Sequence, residues 1–167
     1  MHTTAKLIRI VIITAIVVAA GMLVLWRIAE NTPLLPDRAP VDIEENAVMN
    51  DDAEPKIDTP PGGGGASLSY AKEITIDLAA GLATLYFENP GKSPHDAAIF
   101  IVVQDTVILQ SNLLPPGSLL TSLPIPEKGV PLERGSYDAK ILVQFYDEEG
   151  SPLAVNAQIE GVQIEVK

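Results

Sequence analysis

Ile10 to Trp26 reads IVIITAIVVAAGMLVLW, seventeen residues with no charge and with Thr14 as the only clearly polar side chain. No other stretch restricts the chain's possible folds as strongly. In a helix these residues span roughly 25 Å of hydrocarbon-compatible length. Arg9 and Arg27 bracket the run, Leu7, Ile8 and Ile28 extend it, and snorkelling arginines cover the remaining few ångströms of a bilayer core. Backbone in lipid must satisfy its own hydrogen bonds, so a membrane helix over residues 7–28 is expected. A buried core helix is disfavoured, because nothing downstream offers helices to surround a run that is apolar on every side. A cleaved leader would have a shorter apolar region, then a polar stretch before a small-x-small site. Here Met22 to Trp26 carry the apolar run straight past Ala19, Ala20 and Gly21, so an uncleaved anchor is the reading adopted. Lys6, Arg9 and the α-amino group outweigh Arg27 and the more distant Arg38. The expected topology is single-pass in the cell membrane, with a cytoplasmic N-terminus and an extracellular C-terminal domain.

From Glu30 to Ala66 the composition changes. Prolines recur at positions 33, 36, 40, 55, 60 and 61, acids cluster from Asp42 to Asp58, and Gly62 to Gly65 are four consecutive glycines. Apolar residues are sparse and follow neither structural period, so residues 30–66 are expected to be a disordered acidic tether. Its root-mean-square reach would be roughly 35 Å. A calcium loop at Asp51-Asp52-Ala53-Glu54 lacks the ligand spacing and the glycine turn that such loops need. The expected domains are residues 1–29 (cytoplasmic stub and membrane helix), 30–66 (linker) and 67–167 (folded unit).

Charge and cysteine content narrow the functions open to that unit. Net charge is −11, and residues 1–29 carry +3 while the linker and the folded unit carry −7 each. An acidic exterior repels nucleic acid and anionic lipid headgroups, so neither is an expected partner of the folded unit. With no cysteine there is no disulfide framework, thiolate metal site or thiol nucleophile. An exported domain without disulfides relies on its apolar core, which fits a bacterial surface protein better than a small animal secreted module.

Beyond the glycines the hydrophobic period is two. Ile74, Ile76 and Leu78 alternate with polar neighbours, and Ala83, Leu85 and Phe87 form one face of Leu82–Glu88. Asn89-Pro90-Gly91-Lys92 has turn chemistry, and strands follow at 98–104, 106–110 and 119–123. Residues 136–147 form the longest alternation, with Tyr137, Ala139, Ile141, Val143 and Phe145 on one face. The last strand, 153–166, changes parity: Leu153, Val155, Ala157 and Ile159 are odd, whereas Val162, Ile164 and Val166 are even. One extra residue at Glu160-Gly161 restores a single buried face, so a β-bulge is predicted there. Seven strands with no helical stretch predict an all-β, seven-stranded sandwich preceded by one transmembrane helix and a disordered linker.

The segment Leu132-Glu133-Arg134-Gly135-Ser136-Tyr137 resembles the tyrosine corner of immunoglobulin-like and fibronectin type III domains, Leu-x-x-Gly-x-Tyr entering the penultimate strand. The resemblance covers roughly residues 72–167. It implies an immunoglobulin-like sandwich of the disulfide-free, membrane-anchored bacterial kind, in which the Tyr137 hydroxyl bonds a backbone group a few residues upstream and Leu132 packs beneath it. It implies architecture and not activity.

No catalytic constellation is expected. His95 is the one histidine of the folded unit, no serine sits in a nucleophile elbow, and the glycine run is not followed by Lys-Ser/Thr. No enzyme activity, cofactor or metal is predicted. One strand departs from alternation: Ile99 to Val103 is apolar on both faces. With Ile99, Ile101 and Val103 inward, Phe100 and Val102 point outward beside Leu142 and Tyr146. Those four are the candidate protein contact, unless a loop covers them. The expected function is a non-catalytic envelope protein whose extracytoplasmic domain binds an unknown protein partner, in adhesion or as an accessory subunit of a surface or secretion assembly. A ligand- or calcium-binding sensor using Asp147, Glu148 and Glu149, and a passive spacer, are the alternatives.

Overall fold

The computed structural model describes residues 35–50 and 68–167. The expected membrane helix, residues 30–34 and 51–66 of the expected linker, and with them the Asp51–Glu54 acids, lie outside the described residues. Among the described residues no helix is long and apolar enough to cross a membrane.

Every regular element there is a strand: β1 (Ala47–Met49), β2 (Ser69–Tyr70), β3 (Glu73–Asp77), β4 (Leu82–Asn89), β5 (Asp96–Val103), β6 (Thr106–Gln110), β7 (Ser118–Pro124), β8 (Gly135–Tyr146) and β9 (Pro152–Val166). The seven strands expected from the period correspond to β3–β9, while β1 and β2 are additional. Eight of the nine lie in the order β1-β7-β4-β3-β9-β8-β5-β6, and β2 pairs with β4 off that path. All pairings are antiparallel except β3 with β9.

The sheet curls around the one face on which most of its strands are apolar. Ile74 and Ile76 of β3, Ala83, Leu85 and Phe87 of β4, Leu120 and Leu123 of β7, Ile99 and Ile101 of β5, Ile141, Val143 and Phe145 of β8, and Ile164 and Val166 of β9 belong to one buried cluster. Strands from both ends of the order reach it, which a flat sheet does not permit. Each fully buried Val, Leu, Ile or Phe contributes about 1.5–3 kcal/mol, and this burial is the main stabilising term.

Local signals set the registers. Gln104 and Asp105 both have positive φ, +47° and +63°, in the two-residue connection closed by the Val103–Thr106 pair. Such tight hairpins need that conformation to match the strand twist. In β9 the register steps from Ala139–Val162 to Ile141–Ile159, two residues on β8 against three on β9. The extra residue falls at Glu160-Gly161, where Gly161 has φ +70°. Ile159 and Val162 are therefore both buried, and the parity change of the sequence is resolved as predicted.

Residues 35–50 differ from the linker expectation. Their apolar residues are few, but their backbone is tied to the sheet. Ala39 N–H donates to Gly150 O (2.9 Å), Leu113 N–H to Asp42 O (3.0 Å), Glu44 N–H to Leu113 O (2.9 Å) and Asn50 N–H to Gly117 O (2.8 Å). Ile43 bridges Leu113, and β1 runs antiparallel to β7. The physical reason is hydrogen bonding, which hydrophobic period does not report: these groups complete backbone donors and acceptors at the edge of the sheet.

Candidate functional site

The tyrosine corner has a defined geometry. Gly135 opens β8 with φ +151°, a backbone conformation close to glycine-only. The hydroxyl of Tyr137 donates to Glu133 O at 2.9 Å, and Leu132 and Tyr137 both pack against the main core.

The four candidate contact residues are placed differently from the expectation. Phe100 pairs with Leu142 across β5 and β8, and Asp96 with Tyr146. Phe100, Leu142 and Tyr146 meet on the outer face, as the parity of β5 requires. That face is not open: Phe100, Val102 and Tyr146 are each 1% exposed and Leu142 is half-buried. Ala98, Phe100 and Tyr146 form a second apolar cluster, against which Leu35, Ala39, Val107, Leu113 and Leu142 pack. Val102 is buried outside both clusters, while Phe100, Leu142 and Tyr146 of the expected exposed patch thus belong to a small second core. Its cover includes Leu35 and Ala39, which belong to the stretch read as linker.

Glu44 anchors that cover. Its carboxylate is buried yet fully used: Oε1 accepts from the backbone N–H (3.2 Å) and Nδ2 (2.8 Å) of Asn46, and Oε2 from the backbone N–H of Asn112 (2.8 Å). A buried carboxylate is tolerated when hydrogen bonds replace its lost water. Nothing in the hydrophobic pattern marks Glu44. The only signal was the apolar triplet Ala47-Val48-Met49 inside an acidic stretch. The other end of the covering segment is less well seated. An open cleft of ≈ 330 Å³ runs between Arg38–Val41 and the Asp147–Gly150 turn, and Tyr146 lies in its wall. The Tyr146 hydroxyl is buried and makes no hydrogen bond among the described residues. Burial raises its pKa above the ordinary value of 10.0.

The acidic turn has a structural employment. Asp147 Oδ1 accepts from the N–H groups of Glu149 (3.1 Å) and Ser151 (2.7 Å). Among the described residues no group of three histidines or acids is arranged to hold a metal ion. His95 is half-buried, and its backbone carbonyl accepts from Asn89 Nδ2 (3.1 Å) and Ser93 Oγ (2.9 Å). These bonds fix the loop before β5.

Exposed apolar side chains gather elsewhere. Val41 (96%), Ile43 (61%), Val48 (64%) and Met49 (58%) are half of the large hydrophobics exposed among the described residues, and they fall within nine positions. β1 is also an end of the strand order, with a neighbour on one side only among the described strands. The chain matches no protein-family model, no curated protein and no solved structure.

Proposed function

We propose that this is a non-catalytic, single-pass envelope protein whose extracytoplasmic domain, an immunoglobulin-like sandwich, binds another protein. Support for the sandwich comes from the strand order. It divides at the parallel β3–β9 pair into β1-β7-β4-β3 and β9-β8-β5-β6, and both halves contribute to one core. The Tyr137–Glu133 bond fits the same family of architectures. Support for the anchor is the apolar run at Ile10–Trp26.

The observation that carries the interaction reading is the concentration of exposed Val41, Ile43, Val48 and Met49 beside an end strand. Apolar side chains grouped in this way mark protein contacts, and end strands accept added strands. The contact surface is therefore moved from the β5–β8 face to residues 41–49. Its test is site-specific photocrosslinking in the native cell from position 48. A dominant protein adduct is expected, reduced at least tenfold by Val41→Lys and Met49→Lys. Adducts that are diffuse, or unchanged by these substitutions, would remove residues 41–49 from consideration.

A further inference from the structure

The segment covering the second cluster is fastened unequally along its length. Residues 42–50 are held by the Asp42–Leu113, Glu44–Leu113 and Asn50–Gly117 backbone bonds, by the Asn112 N–H bond to the Glu44 carboxylate and by the β1–β7 ladder. Before them, residues 35–41 show one backbone bond, Ala39 N–H to Gly150 O, and the apolar contacts of Leu35 and Ala39. Between the two parts stands Pro40-Val41, where proline has no N–H to donate and Val41 is 96% exposed. Two defects lie beside the weaker part, the open cleft along Arg38–Val41 and the unpaired Tyr146 hydroxyl. An enclosed hydroxyl without a partner penalises the covered state, and lifting the cover returns it to water.

We propose that residues 35–41 are a releasable strap, hinged at Pro40-Val41, whose opening uncovers the Ala98–Phe100–Tyr146 face while residues 42–50 stay in place. The strap opens as a local unit, at a free energy below that of global unfolding. Opening is a property of this chain alone, independent of the interaction reading and of any partner.

The geometry offers a lock. A Cβ added at Gly150 would stand 3.5 Å from the Ala39 Cβ, within the range of about 3.5–4.5 Å that disulfides span, although φ +75° at Gly150 makes the cysteine there strained by about 1–3 kcal/mol. The chain has no cysteine to compete. The experiment uses the full chain and its A39C/G150C variant. It measures hydrogen exchange of single amides and the rate of Tyr146 nitration, with exposed Tyr70 and Tyr86 as references. In the unmodified chain the position-39 amide is expected to exchange at least tenfold faster than those of Glu44 and Asn112. Oxidising the variant is expected to slow Tyr146 nitration at least tenfold relative to its reduced form, with Tyr70 and Tyr86 unaffected. Equal exchange at positions 39, 44 and 112 would overturn the strap, and so would a nitration rate indifferent to the disulfide. Should the double variant not fold, the exchange comparison in the unmodified chain decides alone.

Discussion

The phenolic oxygen of Tyr146 sits in an apolar cluster with no hydrogen-bond partner among the described residues. Such a group costs about 1–3 kcal/mol relative to a satisfied one. Tyr146→Phe removes the oxygen and leaves the ring, so it should be neutral or stabilise the unit by up to about 1 kcal/mol. Thermal unfolding reads this as an unchanged or higher Tm. The same burial raises the Tyr146 pKa. A folded pKa above the unfolded one gives stability that is complete below the unfolded value of about 10 and is lost as pH climbs through the folded value. Unfolding followed from pH 8 to 12 should therefore show an alkaline loss of stability that is smaller in Tyr146→Phe than in the unmodified chain. Glu44 is the opposite case, a buried charge whose oxygens are used by Asn46 and Asn112.

At the scale of the element, β9 shows how much a pattern of side chains can reveal. Its parity change between Ile159 and Val162 is readable because one face of the strand is buried, so an extra residue must appear where odd and even exchange roles. Gly161 takes φ +70° there, and an added Cβ would meet Lys72 Nζ at 3.6 Å, an ordinary contact. Space is therefore available and backbone conformation is the obstacle. Gly161→Val should cost about 1–3 kcal/mol, read as a lower urea midpoint with an unchanged slope. β5 is apolar on both faces, so its own period did not set its parity; placing it beside β8 did, and outward Phe100 does meet Leu142 and Tyr146. What covers them was not legible. Leu35 and Ala39 are apolar residues in a proline-rich, charged stretch without structural period, and the bonds of Ala39, Asp42 and Glu44 are mostly made by backbone groups that every sequence carries. β1 and β2, three and two residues long, are too short to show a period at all.

At the scale of the whole molecule, the compact unit extends from Leu35 to Lys167. Residues 35–50 cover one apolar cluster and add a strand beyond β7, so they belong to the fold. The exposed Val41, Ile43, Val48 and Met49 lie on this same segment, which places the proposed contact on the part of the domain that composition assigned to the tether. The most direct test that residues 35–50 belong to the fold is urea unfolding of the full chain against a version lacking them, with a hydrophobic dye present. Loss of the one Glu44 carboxylate bond that crosses to the rest of the unit, from the Asn112 N–H, should alone cost about 1.5–3 kcal/mol, the worth of a hydrogen bond to a charged group. The account predicts a clearly lower midpoint and new dye binding at the uncovered Phe100–Tyr146 face. An unchanged midpoint without dye binding would mean that the unit folds from residue 68 onward, and would contradict it.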